Sequence, residues 1–340
     1  FADDWLEQLN YDGAMVATLL ESEADAMQET ESDAAGAAQT LVERFGVPPF
    51  SVLDARQGYW QDRKRAWLGL GLRGEVGRLA QSNALPKTFK NSTQANQDDT
   101  RLDLDNGTSI FDPVLSEILY RWFVPKGGHV LNPMSGEATH GIVAGYLGYE
   151  FTGVELRPEQ AESNREQAVE IGVNPVWITA DALTIDQLDI APADFVVSCP
   201  PYADLEVYSD NPLDISTMDY ADFVTTYSEI IRKSCALLKE NRFAAFVVGE
   251  ARDKRGIYYD FVGDTIKAFK AAGLNYYNEM IYVTPLGTVM MQTSRNFPIG
   301  RKIGKTHQNV LVFVKGDWRE AVKACGKIDM ELPDGFDTNS

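Results

Sequence analysis

The four residues that follow the apolar segment 195–198 have the types and spacing expected of a site that holds a flat ring. They are Cys199, Pro200, Pro201 and Tyr202. Proline donates no backbone hydrogen bond to a sheet and has a fixed φ angle, so the chain leaves the strand stiffly, with carbonyl acceptors and Tyr202 held nearby. These groups suit a planar base, and a proline turn that packs a tyrosine is the simpler alternative.

A second pattern lies upstream, where residues 128–155 read as a strand, a turn with glycine, a helix and a strand that ends in an acid. Small turn residues let backbone N–H groups approach a ligand, and a carboxylate after the second strand accepts hydrogen bonds from ribose hydroxyls. The pattern predicts a nucleotide-binding βαβ unit with Glu155 as the ribose ligand. A dinucleotide site would fit the glycines, but their spacing departs from Gly-x-Gly-x-x-Gly.

The two patterns together resemble those of S-adenosylmethionine-dependent DNA amino-methyltransferases. Residues 132–139, Asn-Pro-Met-Ser-Gly-Glu-Ala-Thr, are similar to the family's cofactor motif Asp-Pro-Phe-x-Gly-x-Gly-Thr, and residues 199–202 are similar to its Asp/Asn/Ser-Pro-Pro-Tyr/Phe motif, which grips the amino group of a flipped-out base. The resemblance implies that Asn132, Met134 and Gly136 contact S-adenosylmethionine. Asn132 replaces an acid, Met134 an aromatic residue and Ala138 the second glycine of the motif.

Two further segments lie where this family has cofactor contacts. In residues 108–113, the resemblance implies that Ser109 and Phe111 contact the cofactor; an ordinary helix start is the alternative, because Asp followed by Pro is a good N-cap and first-turn pair. Farther along, Asp181 and Ala182 end a predicted third strand, and the resemblance implies that they hold the adenine. A strand-end turn is the alternative there.

The resemblance covers about residues 101–318 and implies an α/β fold: a Rossmann-like class I methyltransferase with a mostly parallel sheet, closed by an antiparallel hairpin. Short apolar runs between helices fit such a sheet, covered on both faces. The predicted organisation is an acidic helical N-terminal region at 1–90, a polar linker at 91–106, the catalytic domain at 107–320 and a C-terminal tail at 321–340. More generally, residues 48–60 and 305–313 look like bacteriophage DNA modification methylases.

Cys199 leaves the type of methylation open. Amino-methylating relatives have an Asp, Asn or Ser there, which accepts a hydrogen bond from the base, whereas a thiol accepts weakly. Backbone carbonyls near Pro200 and a stacked Tyr202 still fit transfer to an exocyclic amino group, N6 of adenine or N4 of cytosine. The alternatives are a Cys199 nucleophile for cytosine-C5 methylation, with Glu250 binding the base edge, a buried structural cysteine, and a non-catalytic subunit that binds nucleic acid or a partner.

One segment, 284–308, is clearly basic, and we expect it to be a loop that contacts nucleic-acid phosphates. Its candidate contacts are Arg295, Arg301, Lys302, Lys305 and His307. A solvated loop is the alternative. A second basic cluster precedes the core, at Arg56, Arg63, Lys64, Arg65, Arg73 and Arg78. Tyr59 and Trp60 lie within it, so base stacking and a helix-packing face are both possible. DNA is the expected partner, and RNA is not excluded.

The net charge of −19 argues against DNA binding unless it is unevenly distributed. Residues 1–50 hold eleven acids and one base, Arg44, a net −10. This acidic head could guard a basic cleft, mediate a homodimer or bind a partner, and a solubilising face is an equal alternative.

The composition predicts a cytoplasmic protein. The 340 residues are 44% hydrophobic, yet they contain no apolar run of about 18 residues and no secretion signal at the start. Three scattered cysteines form neither a disulfide framework nor a zinc cluster, and isolated histidines are usually structural, so we expect neither a metal nor a membrane partner.

Overall fold

The computed structural model of the protein describes residues 41–74, 110–202, 209–287 and 289–331. Predictions that lie outside these ranges are the acidic head before residue 41, the linker at 91–106, Ser109 and the end of the tail. The chain divides into one compact unit that ends at Pro49 and a larger unit that begins at Phe50. The strands and helices below belong to the larger unit.

Alternating strands and helices make up this unit, as the sequence predicted. Its strands are β1 (Val52–Asp54), β2 (His129–Asn132), β3 (Glu150–Glu155), β4 (Val176–Thr179), β5 (Ala193–Ser198), β6 (Leu238–Val248), β7 (Asn275–Val283) and β8 (His307–Lys315). Its described helices are α1 (Gly58–Gly69), α2 (Pro113–Phe123), α3 (Thr139–Tyr146), α4 (Pro158–Ile171), α5 (Tyr220–Leu237), α6 (Phe261–Ala271), α7 (Val289–Gly300) and α8 (Trp318–Cys325). None of the described helices combines the length and apolar composition needed to span a bilayer.

Within the described residues, the strands form one sheet in the order β1-β7-β8-β6-β5-β2-β3-β4. The neighbouring strands of β2 to β6 pair in parallel with one another, and β1 pairs in parallel with β7, whereas β8 is antiparallel to both β6 and β7. All residues of β2 and β5 are buried, as expected for strands with helices on both faces. The predicted α/β fold, with a mostly parallel sheet closed by an antiparallel pair, is confirmed.

Aromatic side chains fill the space between the sheet and the helices α5 and α6. Phe223 and Tyr227 of α5 stack with ring centroids 5.5 Å apart, and Phe269 of α6 stacks on Phe313 of β8 at 4.0 Å. These rings are almost fully buried. Burial of a ring of this size stabilises a fold by about 1.5–3 kcal/mol, so this layer holds the strand ends in a fixed arrangement.

Residues 52–69, which the sequence analysis assigned to the N-terminal region, are part of the central sheet and its cover. Strand β1 pairs in parallel with β7, and Trp60 and Trp67 of α1 are fully buried. Each indole N–H donates to a buried carboxylate about 50 residues farther along the chain, Trp60 to Asp112 at 3.2 Å and Trp67 to Glu117 at 2.8 Å. The compact unit that contains these residues begins at Phe50.

The basic segment 284–308 is not the unstructured loop that the sequence predicted, because it contains α7. The segment leaves the sheet where Val283 of β7 pairs with His307 of β8, and the amide of Thr284 donates to the carbonyl of Thr306 at 3.0 Å. Gly304 lets the returning chain pass close to Thr293 of the helix, since an added Cβ atom would collide with the threonine hydroxyl. The helix therefore stands on an anchored base at the edge of the sheet.

Candidate active site

A cleft of about 510 Å³ lies at the carboxyl ends of the parallel strands. In the sheet, β3 and β4 lie on one side of β2, whereas β5 and β6 lie on the other side. The order in which strands are added therefore reverses between β2 and β5. Open α/β sheets bind ligands at such a reversal. The cleft contains residues from both sides of it, among them Met134 after β2 and Cys199 after β5.

The turn after β2 is held in one conformation by contacts with the end of β3. Gly136 has a φ angle of +59°, which favours glycine, and its amide donates to Glu155 Oε2 at 2.9 Å. Its carbonyl accepts from Asn164 Nδ2 at 2.8 Å. Met134, Gly136 and Glu155 all line the cleft, so the structure brings these three predicted cofactor residues together.

Asn132 lies behind the cleft lining, and its contact with the cofactor stays a prediction. The side chain is fully buried, and its Oδ1 atom accepts from the amide of Met134 at 3.1 Å. The asparagine at the end of β2 therefore stabilises the turn through a hydrogen bond to its backbone. The sequence motif does not reveal this, because a residue that forms a turn and one that contacts the ligand are adjacent in the chain.

Close packing beneath the turn leaves no room for a side chain at Gly153 of β3. A Cβ atom there would lie 2.5 Å from Ser135 Oγ and 2.8 Å from Trp177 Cδ1. Ser135 in turn accepts a hydrogen bond from the indole nitrogen of Trp177 at 3.0 Å. The floor of the predicted cofactor site is thus set by three residues from three different elements.

Glu155 is anchored at the cleft wall by backbone donors. Besides the amide of Gly136, its carboxylate accepts from the amide of Arg157 at 3.0 Å, and the Arg157 guanidinium lies 3.5 Å away. Glu155 is only 7% exposed. A fixed, nearly buried acceptor at the end of β3 has the placement expected of a ribose ligand.

Asp181 and Ala182 also line the cleft, after β4. The Asp181 side chain accepts from the amide of Leu183 at 2.9 Å and begins a short 3-10 helix, Ala182–Gln187. The strand-end turn considered in the sequence analysis is therefore present, and it points these two residues toward the cleft. Both the structural and the binding interpretation fit this position.

Phe111 lines the cleft, as predicted, whereas Ser109 lies outside the described residues. The Phe111 ring lies 4.3 Å from the ring of His140, and its amide donates to Glu137 Oε1 at 3.2 Å. The neighbouring Asp112 caps α2, since its Oδ1 accepts from the amide of Val114 at 3.0 Å. The helix-start interpretation of this segment is confirmed alongside its position at the cleft.

The sequence analysis did not assign His140, which the structure places in the cleft lining. Tyr120 contacts both the Nδ1 atom and the carbonyl of His140 at 3.0 Å. Both contacts are hydrogen bonds when Tyr120 donates to the carbonyl and His140 Nδ1 donates its own proton to the Tyr120 oxygen. The Nε2 atom is then a buried acceptor with no hydrogen-bond partner in the described structure, and burial lowers the pKa of His140 to about 3.

The chain after β5 meets the cofactor turn directly. Ser198, the last residue of β5, donates from its hydroxyl to the carbonyl of Met134 at 3.2 Å. Cys199, Pro201 and Tyr202 line the same cleft, whereas Pro200 is buried outside the lining. The two motifs that are 60 residues apart in sequence thus share one wall.

Contacts from β8 and α6 hold the ring of Tyr202. Its hydroxyl accepts from Gln308 Nε2 at 2.5 Å, and the sulfur of Cys199 lies 3.9 Å from the same oxygen. Its ring meets that of Phe261 edge-on at 6.0 Å. Gly249 leaves space beside the ring, since an added Cβ atom would lie 3.5 Å from it. The aromatic side chain is therefore pre-positioned at the cleft.

Glu250 lies outside the cleft lining, and its contact with a substrate base stays a prediction. Its two carboxylate oxygens accept from the amides of Phe261 and Val262, at 3.2 and 3.1 Å. They cap the start of α6, whose first amides have no partner within the helix. An acid at a strand end can serve a helix as readily as a ligand, and only the tertiary structure separates the two roles.

The candidate nucleic-acid contacts of segment 284–308 lie beside the cleft and outside its lining. Arg295, Arg301 and Lys302 are exposed, whereas Lys305 and His307 are partly buried. Burial lowers the pKa of Lys305 and of His307 from their ordinary values. Thr284, Pro285 and Gln308 at the two ends of the segment do line the cleft, so the basic surface begins at its rim.

The second basic cluster is largely neutralised by ion pairs, which favours the helix-packing interpretation of this region. Arg63 binds fully buried Glu117 through two hydrogen bonds of 2.6 Å, and Lys64 binds Asp112 at 2.9 Å. Arg73 pairs with Glu170. Other pairs are Arg56 with Asp54 and Arg65 with Asp62, and Arg78 lies outside the described residues.

Lys64 and Asp112 also belong to the cleft wall, together with Tyr282 of β7. The Tyr282 hydroxyl donates to Asp112 Oδ2 at 2.7 Å. Burial and, to a smaller extent, the negative charge of Asp112 raise the pKa of this tyrosine. The network joins α1, α2 and β7 next to the predicted cofactor site. The sequence offers no local signal for it, since its members are far apart along the chain.

Several solved methyltransferases are similar to this chain in structure, although no protein-family model matches its sequence and no curated protein is significantly similar to it. TrmN from Thermus thermophilus has 17% identity and a TM-score of 0.41, over 60% of this chain and 49% of TrmN, so the chain spans about half of that protein. A putative rRNA-methylase from Clostridium thermocellum has 13% identity and a TM-score of 0.41, over 61% and 99%. Magnesium protoporphyrin IX methyltransferase from Synechocystis, solved with bound SAM, has 13% identity and a TM-score of 0.36, over 56% and 71%.

Proposed function

We propose that the protein transfers a methyl group from S-adenosylmethionine to an exocyclic amino group of a base in DNA. The observation that carries this proposal is the 3.2 Å hydrogen bond from Ser198 to Met134. It joins the strand end that resembles a base-gripping motif to the turn that resembles a cofactor motif. Cys199 and Tyr202 therefore line the same cleft as Gly136, and the cleft volume of about 510 Å³ lies in the range of small-molecule sites.

The residues present fit S-adenosylmethionine. Glu155 would accept from the ribose, Asp181 and Ala182 would border the adenine, and Phe111 would contact one face of the ligand, since all four line the cleft. The close approach of Gly136 to the cleft gives a ligand access to the backbone. When bound, S-adenosylmethionine supplies an electrophilic methyl group on a sulfonium.

The protein's own residues would orient the base. The ring of Tyr202, held by Gln308 and Phe261, offers a stacking platform worth about 1–3 kcal/mol for an extruded base. The backbone carbonyls near Cys199 would accept from the amino group and stabilise the charge that develops on nitrogen. Methylation of an amino group needs orientation more than proton transfer, so the absence of an acid at Cys199 is compatible with it.

Cytosine-C5 methylation is the second candidate, because Cys199 is among the residues that line the cleft, where a nucleophile would lie. The caps that Glu250 provides to α6 weigh against this candidate, since they occupy the carboxylate expected to bind the cytosine edge. The two chemistries leave different products.

The test is incubation with tritiated S-adenosylmethionine and unmodified DNA, followed by digestion to nucleosides and identification of the labelled product. We expect N6-methyladenine or N4-methylcytosine, retained by Cys199→Ala and reduced at least about tenfold by Tyr202→Ala, which removes the stacking platform. Cys325→Ala, in α8 and outside the cleft lining, is the control.

Other outcomes assign other functions. The appearance of 5-methylcytosine, lost in Cys199→Ala, would establish the cysteine as a nucleophile. Label on RNA alone would move the substrate to RNA. Failure to bind S-adenosylmethionine in equilibrium dialysis would favour the non-catalytic subunit considered in the sequence analysis.

A further inference from the structure

Helix α7 presents apolar side chains to solvent at the rim of the cleft. None of the described residues of this helix is buried. Met290 is 64% exposed and Met291 is 50% exposed, and Phe297 and Ile299 are also exposed. Exposed apolar side chains that are contiguous mark interaction surfaces, and methionine adapts its shape to different partners.

The helix has a fixed inner side, so its outer side is held in place. Val289 and Thr293 are partly buried, and both lie against Gly304 in the returning chain, where an added Cβ atom would overlap them. Residues four apart share one face of a helix. Met291 and Arg295 accordingly lie on a common outer face, and both are exposed.

Charge identifies the occupant of this surface as a polyanion. Segment 284–308 contains no Asp or Glu, in a chain whose net charge is −19. Its cations are Arg295, Arg301, Lys302 and Lys305. A second copy docked through the same face would bring like charges together, because the contact in a twofold dimer is between identical patches. Nucleic acid, with a phosphate every few ångströms, satisfies both the charge and the apolar face.

Position identifies what the apolar side chains would do. The segment starts and ends in the cleft lining, at Pro285 and Gln308, and Gln308 also binds the hydroxyl of Tyr202. A duplex whose base enters the cleft must therefore pass close to α7. Proteins that distort DNA insert apolar side chains such as Met and Phe between base steps.

We propose that α7 is a wedge that enters duplex DNA beside the extruded base, with Met290 and Met291 filling the space that the base leaves and Arg295 binding an adjacent phosphate. This inference rests on the proposed function, and it adds the element that opens the duplex. A wedge stabilises the open duplex, so its contribution should vanish when the target base is already unpaired.

The experiment compares Met290→Ala/Met291→Ala with the unaltered protein on two DNA substrates. One is fully paired, and the other carries an abasic position opposite the target base. We expect kcat/KM to fall at least about tenfold on paired DNA and to stay within about threefold on the second substrate. The wedge assists only the step in which the target base leaves its pair, and on the second substrate the base has no pair to leave. A 2-aminopurine at the target position should show less extrusion in the variant.

Two further variants separate the wedge from other roles. Val169→Ala removes an apolar side chain from α4 that is 77% exposed and far from the wedge in sequence, and we expect no change on either substrate. Arg295→Gln should weaken binding to both substrates. It should also reduce the salt dependence of DNA binding by the amount expected for about one phosphate contact. Unchanged S-adenosylmethionine binding reports that the cleft of each variant is folded.

The outcomes that overturn the wedge are distinct from failure of the proposed function. Equal losses on both substrates would make α7 a general binding surface, and wild-type rates on both would refute the wedge alone. A change in sedimentation with unaltered DNA kinetics would make α7 a subunit interface. If the unaltered protein methylates no DNA, the proposed function fails and the wedge fails with it.

Discussion

Replacement of Glu117 by glutamine should strongly destabilise the protein, because this fully buried carboxylate joins α1 to α2. It accepts two hydrogen bonds of 2.6 Å from Arg63, one of 2.8 Å from Arg121 and one of 2.8 Å from the indole of Trp67. Burial by itself raises the pKa of Glu117, but the hydrogen bond and charge of Arg63, with the charge of Arg121, outweigh it, and the pKa lies below its usual value. The group is therefore ionised at neutral pH.

The size of the effect follows from the charges that the substitution leaves behind. Glutamine has the same shape and still offers one oxygen to Trp67, but the side chains of Arg63 and Arg121, which are 13% and 6% exposed, lose their counter-charge. Loss of one partner of a buried ion pair costs about 3–5 kcal/mol, because the remaining charge is desolvated and uncompensated. We expect Glu117→Gln to lower the free energy of unfolding by that amount.

Urea denaturation followed by tryptophan fluorescence measures this change, since Trp67 reports on the same contact. The control is Glu170→Gln, which removes the partner of Arg73 from an ion pair whose side chains are 58% and 52% exposed. Exposed pairs contribute about 0–1 kcal/mol, so the control should be nearly neutral. A loss below about 1 kcal/mol for Glu117→Gln would refute the argument that residues 52–69 are fastened to the core by this carboxylate.

The remaining predictions concern the cleft and its supports. His140 has a pKa of about 3 when folded and near 6.5 when unfolded, so between these values the unfolded state binds one more proton and stability falls as pH falls. Between pH 7 and pH 5 the free energy of unfolding, measured by urea titration, should fall by about 2 kcal/mol more for the unaltered protein than for His140→Gln. The same fall in both proteins would contradict this. Gly153→Ala should overpack the turn, lower the free energy of unfolding in calorimetry by about 1–3 kcal/mol and weaken S-adenosylmethionine binding in dialysis. Gly58→Ala, with open space around it, should change neither quantity. Glu250→Ala should cost about 0.5–2 kcal/mol in thermal unfolding by uncapping α6, and a loss of activity without loss of stability would restore Glu250 to the active site.

Local sequence determined the elements that surround the cleft, because their signals are short-range. Asp112 followed by Pro113 begins α2 as predicted, since a capping carboxylate and a fixed φ angle act within one turn. The predicted strand before Cys199 is β5, whose six residues are all buried. Asp219 begins α5, Tyr220–Leu237, in the same way, since its carboxylate accepts from the amides of Ala221 and Asp222. Apolar runs of this length carry their own structural preference.

Long-range pairing decided between the alternatives that the sequence analysis left open for the second basic cluster. Arg63 and Lys64 form part of a basic cluster in sequence, but the fold places them against Glu117 and Asp112. The charge of a residue is local information, whereas the position of its counter-charge depends on how α1 packs against α2. A cluster of cations in sequence therefore does not establish a nucleic-acid surface.

The sequence by itself determined the alternation of strands and helices around the two motifs, the motifs themselves and the basic character of segment 284–308, since periodicity and residue type encode these directly. Only the tertiary structure decided that the motifs share one cleft, that Asn132 and Glu250 support turns and helices beside it, and that α7 stands exposed at its rim. The physical reason is that a carboxylate or amide has several suitable donors in a folded chain. Which donor it meets depends on distances between elements, and these are set by the packing of the whole sheet.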